Sequence, residues 1–175
     1  MVIEKKKSID FDKFHFVCSA RVKDDYRGFM NCILIEQDEK GNTVGVCTNG
    51  KSLHKTIFMD TYDTGVYNIV KITKSVVQLE KTDIDFPKWN RVVPEEYDHT
   101  FTIEFESQVC KLNDFYKGFF TNLKTDKTIF VNHDYLIPFF DSAIEPINVY
   151  MDNAYCRPLK LTSGGNMLVV MPMEV

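Results

Sequence analysis

The chain has 175 residues, a charged fraction of 26%, a hydrophobic fraction of 44% and a net charge of −4. That length suits one domain or two small ones with a real core, and the charge does not mark the whole surface for nucleic acid. No run approaches the roughly 20 apolar residues of a membrane span, and no apolar h-region follows Lys5-Lys6-Lys7, so a cytoplasmic protein without a signal peptide is expected.

Residues 1–8 read as a charged, flexible arm. From Phe11 to about Asp25 the spacing of Phe11, Phe14, Cys18 and Val22 predicts a helix with one apolar face. Strands are predicted over Phe29–Glu36 and Thr43–Thr48. Asn49-Gly50 is a strong turn signal, and Ser52–Met59 resumes as a strand. Val66–Ile72 and Ser75–Lys81 form a further pair. Phe86 to Pro94 is bracketed by prolines and too aromatic to be a loose linker, so it reads as an ordered connector.

Thr100–Glu106 alternates through Phe101, Ile103 and Phe105, the mark of a half-buried strand. Ser107–Phe120 carries a helical stripe of Val109, Leu112, Tyr116 and Phe119, and Thr128–Val131 reads as a short strand. His133–Phe140 is a short helical stretch in which Pro138 must lie near the start or cause a kink. Pro146–Asp152 alternates again, and Cys156–Thr162 with Met167–Met173 closes a hairpin across Ser163-Gly164-Gly165-Asn166. The order of elements is that of an α+β protein with antiparallel sheet and two to three helices. It is read as one domain over 9–175, or two halves over 9–94 and 95–175.

The five cysteines contain no CxxC pair and the four histidines have no metal-ligand spacing, so neither a metal site nor a disulfide framework is expected. Nothing implies a cofactor. No P-loop, GxSxG, HExxH or GxGxxG is present. Cys47 and His54 flank one turn and are the nearest approach to a nucleophile pair, but Cys47 sits among apolar neighbours, where an inert thiol is expected.

Three segments together are informative: Asp25-Tyr26-Arg27-Gly28-Phe29-Met30-Asn31-Cys32-Ile33-Leu34-Ile35-Glu36 with Val46-Cys47-Thr48-Asn49-Gly50-Lys51-Ser52-Leu53; the connector Phe86–Pro94; and the terminal Leu168–Val175. In this order they resemble the bacterial DNA polymerase sliding clamp, whose connector reads Phe-Pro-x-Tyr-x-Arg-Val-x-Pro and whose chain ends in Val-Val-Met-Pro-Met-Arg-Leu. The resemblance is to a shortened form, with a first part like the family's middle domain and an end like its third. It implies a clamp fold and a non-enzymatic replication processivity or docking factor.

The resemblance also implies an apolar groove for short peptide motifs of DNA polymerase and other replication or repair proteins. Carried over position by position, its wall is Met30, Thr48, Gly50, Lys51, Ser52, Leu53, Pro87, Val92, Val169 and Met171. The chain departs from the family at the rim: Lys51-Ser52 replaces His-Arg, and Glu174 replaces a penultimate Arg. Non-specific contact with double-stranded DNA would fall to Lys13, Arg21 and Lys23 on the first helix and Lys111, Lys117 and Lys124 around the second. Encircling DNA would require a homo-oligomer or a partner chain. The alternative is a monomeric peptide-binding module or decoy that does not encircle DNA.

Overall fold

A computed structural model describes residues 1–104, 131–143, 146–152 and 157–173. It divides into two compact units, Met1–Trp89 and Asn90–Val175. The predicted strand Thr128–Val131, the helix Ser107–Phe120 and Glu174 lie wholly or mainly outside the described residues.

The first unit holds six strands: β1 (Val2–Glu4), β2 (Cys32–Gln37), β3 (Thr43–Thr48), β4 (Ser52–Ile57), β5 (Gly65–Ile72) and β6 (Val76–Thr82). They lie in the order β1-β6-β5-β2-β3-β4, with every described pairing antiparallel. The N-terminal residues are therefore not a loose arm. Val2 to Glu4 pairs with Gln78 to Val76, and Ile3 is buried because that pairing turns its side chain into the core.

Helix α1 runs only from Phe11 to Cys18, shorter than its apolar spacing predicts. It stops because other groups claim the donors and acceptors that would continue it. The Ser19 hydroxyl donates to Phe16 O at 2.6 Å, the Arg21 N–H turns back to Cys18 O, and the Val22 N–H donates to Met30 O. Val22 is consequently exposed, whereas Phe16 and Val17, outside the expected stripe, are buried. Phe14 stacks on Phe58 with centroids 4.1 Å apart and meets Tyr62 edge-on at 4.9 Å. Gly45 makes this possible: a Cβ there would lie 2.7 Å from the Phe58 ring.

Asp10, immediately before α1, is fully buried. Its carboxylate does not cap its own helix. It accepts instead from the Met59 N–H at 2.8 and 3.0 Å, the Asp60 N–H at 2.9 Å and the Tyr62 hydroxyl at 3.1 Å, with Lys13 Nζ 3.7 Å away. Four donor groups surrounding one carboxylate compensate for its burial.

The predicted strand at Phe29 begins later. Gly28–Asn31 forms a 3-10 turn, closed by the Met30 N–H to Arg27 O, and β2 starts at Cys32. A β-bulge between Ile69 and Lys71 interrupts the pairing of β5 with β6. The Ile69 carbonyl accepts from Arg21 and from Asn31 Nδ2.

The second unit holds β7 (His99–Ile103), β8 (Ile147–Met151), β9 (Leu159–Ser163) and β10 (Asn166–Val170) in the order β10-β9-β8-β7, again antiparallel. Helix α2 (Ile137–Ser142) carries Pro138 in its first turn and buries Phe139 and Phe140. The Asn166 Nδ2 donates to the Ser142 hydroxyl at 3.2 Å and ties α2 to the start of β10. Leu168, Val169 and Val170 are all buried. The strand ends at Val170 rather than Met173, since Pro172 has no N–H to donate.

Replacing Asp10 by Ala leaves buried N–H donors without an acceptor. Asp10→Ala is expected to lower unfolding free energy by roughly 3 kcal/mol in urea titrations, with Asp10→Asn intermediate.

Candidate functional site

The turn between β3 and β4 is built by side chains standing in for backbone. The Thr48 hydroxyl donates to Ser52 O at 2.8 Å and accepts the Gly50 N–H at 3.0 Å, while Asn49 Oδ1 accepts the N–H groups of Lys51 and Ser52 at 2.9 and 2.6 Å. Gly50 has φ +80°, and a Cβ there would lie 2.9 Å from Met30 Cε. Both conformation and the close approach of Met30 require glycine. The result is a stiff turn that presents Lys51 to solvent above a buried Met30.

Strand alternation divides the residues that follow. Ser52 and His54 share the face turned to α1, where the His54 ring stacks on Phe16 at 4.7 Å. Leu53 and Lys55 share the opposite face, and Leu53 pairs across the ladder with Thr48. Thr48, Leu53, Gly50 and Met30 are therefore gathered around one end of β3 and β4. Ser52 differs: its hydroxyl is buried without a hydrogen-bond partner, and its side chain lies on the other face.

Pro87, the last predicted wall residue of the first unit, is exposed. In the second unit Val92, the last residue of the 3-10 turn Trp89–Val92, is half-exposed at 51%, Val169 is buried, and Met171 is 40% exposed beyond the end of β10.

Two residues that sequence reasoning did not single out stand beside the first-unit positions. Arg27 forks onto Asp25, with Nε and Nη2 each 2.9 Å from a carboxylate oxygen, and Nη1 lies 3.7 Å from where a Gly50 Cβ would be. The bonds from Arg27 hold the Asp25 carboxyl down at about 2. Trp89 donates its Nε1–H to Glu36 at 2.7 Å and carries the Lys55 ammonium 4.8 Å from its ring centroid. The only signal for either was membership of the segments that carry the family resemblance.

Of the proposed phosphate contacts, Lys13 donates to Ile57 O at 2.7 Å and Arg21 to Ile69 O, so both cations are engaged within the first unit. Lys23 is exposed. Lys111, Lys117 and Lys124 lie outside the described residues.

Cys47 and His54 face each other across the β3–β4 ladder but are unsuited to nucleophilic chemistry. Burial pushes the Cys47 thiol up to about 12, so it stays protonated at neutral pH. Burial also drives His54 down to about 4, partly offset by its bond to Phe16 O. Its Nδ1 lies 3.0 Å from Phe16 O and 3.3 Å from the Ser19 hydroxyl, while Nε2 is buried without a hydrogen-bond partner. Cys18, Cys32 and Cys47 are free and buried. Among the described residues no group of three or more His, Cys, Asp or Glu could hold a metal ion, and no helix is long and apolar enough to cross a membrane.

No family model matches the sequence, and no curated protein matches it. Solved structures do match. The DNA polymerase sliding clamp of Pseudomonas aeruginosa superposes with a TM-score of 0.64 at 15% identity, over 100% of this chain and 66% of that one. The DNA polymerase III β chain of Streptococcus pneumoniae gives 0.67 at 11% identity, over 100% and 64%. The Helicobacter pylori β clamp bound to a DNA ligase peptide gives 0.65 at 13%, over 99% and 66%. The chain has the sliding-clamp fold. It is an α+β, antiparallel version that spans a little under two thirds of the length of these clamps.

The neutral state of His54 makes stability pH-dependent. The unfolded imidazole takes up its proton near 6.5, whereas the folded one resists until about 4. Stability is full above the upper value and falls as pH drops through that window, by about 1.4 kcal/mol per pH unit and on the order of 3 kcal/mol in all. Chemical denaturation at pH 7.5 and 4.5 should show wild type losing this increment relative to His54→Phe.

Proposed function

We propose that this protein is a sliding-clamp-like docking factor that binds short peptide motifs of DNA polymerases and other replication or repair enzymes. The observation that carries this reading is the joint placement of Met30, Thr48, Gly50 and Leu53 at one end of β3–β4, the positions expected to form a peptide groove from the family pattern. The fold supports it, and a clamp of the same fold is known with a DNA ligase peptide bound.

In this reading Leu53 and Met30, both buried, form the floor under the turn, and Gly50 adds no side chain to the surface a peptide would meet. Ser52 contributes only through its backbone. The family pattern would assign Pro87, Val92, Val169 and Met171 to the same wall, and Lys51 stands at the rim where the family carries His-Arg. The two compact units are shortened clamp-like halves. Soluble, cytoplasmic operation follows from the same role.

Encircling DNA as a multimer is the fuller version of the role. The inward engagement of Lys13 and Arg21 favours the narrower one, a peptide-binding module or decoy that does not encircle DNA, since two of the six proposed phosphate contacts already have protein partners.

A fluorescently labelled peptide carrying the DNA ligase segment is the probe. Wild type should bind it, and Leu53→Asp and Met171→Asp should each weaken binding at least about ten-fold through placing a carboxylate in an apolar contact. Equal affinities in all three proteins would show that the groove lies elsewhere. Light scattering with and without circular DNA separates the two versions: a ring requires a multimer, and a strict monomer at every concentration leaves only the module.

A further inference from the structure

Pro87 is exposed, yet the segment that carries it is tied down on both sides. One residue before it, the Phe86 ring meets Phe29 at 6.2 Å and 71°, an edge-on contact with the 3-10 turn that contains Met30. Two residues after it, the Trp89 indole is fixed from two strands at once. Its Nε1–H donates to Glu36 on β2 at 2.7 Å, and the Lys55 ammonium on β4 lies over its ring.

The register shows which face this is. Lys55 is two residues beyond Leu53 on β4, so the two side chains point the same way about 7 Å apart. Glu36 pairs with Val44 and Lys55 with Val46, which puts the indole over β3 on the face that carries Thr48 and Leu53.

We infer that Trp89 is a positioning residue for peptide binding: the Glu36–Trp89–Lys55 clip, together with Phe86 on Phe29, holds Pro87 at a fixed place beside Leu53. This rests on the peptide-groove reading above. The bond to the Glu36 side-chain oxygen is short, and the cation over the ring restrains the same indole from the other strand. A preordered wall spares an incoming peptide the entropy of ordering it. Loss of the clip therefore lowers affinity even where the fold and its melting temperature are kept.

The test uses the full chain and the labelled DNA ligase peptide, followed by anisotropy of the label so that the affinity readout does not depend on the tryptophan. Trp89→Phe, which keeps the ring but loses the donor, and Glu36→Ala should each weaken binding by about five-fold or more. Glu36→Gln keeps an acceptor oxygen at the same reach and should restore affinity to within about two-fold of wild type. Trp89 is the single tryptophan, so the emission of Glu36→Ala should shift to the red while Glu36→Gln stays near wild type. Wild-type binding with unchanged affinity in Trp89→Phe and Glu36→Ala overturns the positioning role alone, as does a loss of melting temperature without a loss of affinity. A wild type that does not bind the peptide overturns the groove reading and this role with it.

Discussion

The seating of α1 on the first sheet depends on one buried carboxylate. An ionised side chain with no exposure persists only where enough donors replace its water. Asp10 finds them in the chain leaving β4, with two backbone N–H groups and a tyrosine hydroxyl, and in Lys13 one turn further along α1. This arrangement fixes the start of α1 over the far end of β4. From there Phe14 reaches Phe58 and Phe16 reaches His54, so the helix covers the inner face of the sheet. Because that face is filled by α1, every other residue of β4 must look the opposite way. Leu53 and Lys55 therefore share the outer face with the candidate groove.

The same economy explains why the region around Gly50 can be stiff without a large core of its own. Thr48 and Asn49 satisfy the turn's backbone groups with their own oxygens, and Met30 packs beneath a residue that has no side chain. Order here comes from hydrogen-bond saturation and one close van der Waals approach. In the proposed docking role such an edge would be a fixed template, and the ordering cost of binding would fall mostly on the peptide.

What could be read from the amino-acid order was local. The Asn49-Gly50 turn, the alternation of Ile147, Val149 and Met151, and the position of Pro138 each follow from rules that act over a few residues, and the structure agrees with each. The resemblance in three short segments pointed to the clamp fold, which the superpositions show independently. Missed features are mainly long-range or turn on competition for backbone groups. Asp10 meets Met59 at a sequence separation of 49, and Trp89 meets Glu36 at 53, so no window along the chain contains either bond. The early end of α1 has a similar origin. Its apolar spacing continues to Val22, but the Val22 N–H is taken by Met30 O, an acceptor eight residues away on the next turn. Ser52 shows the reverse limit: the family pattern puts it beside Leu53 in the expected wall, yet strand period turns its side chain to the opposite face from Leu53.

Electrostatics separate the two roles a clamp fold combines. Phosphate attraction needs cations that are free to meet a polyanion, and each one already donating to a buried carbonyl is withdrawn from that task. Lys13 and Arg21 are so withdrawn, in a chain whose net charge is −4. Peptide capture makes no such demand. It needs apolar area that is held still, with a few polar groups at the edge to choose among partners. In the proposed docking role the stiff turn at Gly50, with Leu53 and Met30 buried beneath it, would bear on the first condition, and the exposed Lys51 and the Asp25-bound Arg27 on the second. An Arg already neutralised by an aspartate attracts an acidic peptide less than a free one, so Lys51 is left as the stronger cation on that side. The charge pattern therefore weighs toward the proposed docking reading and against the proposed encirclement of DNA.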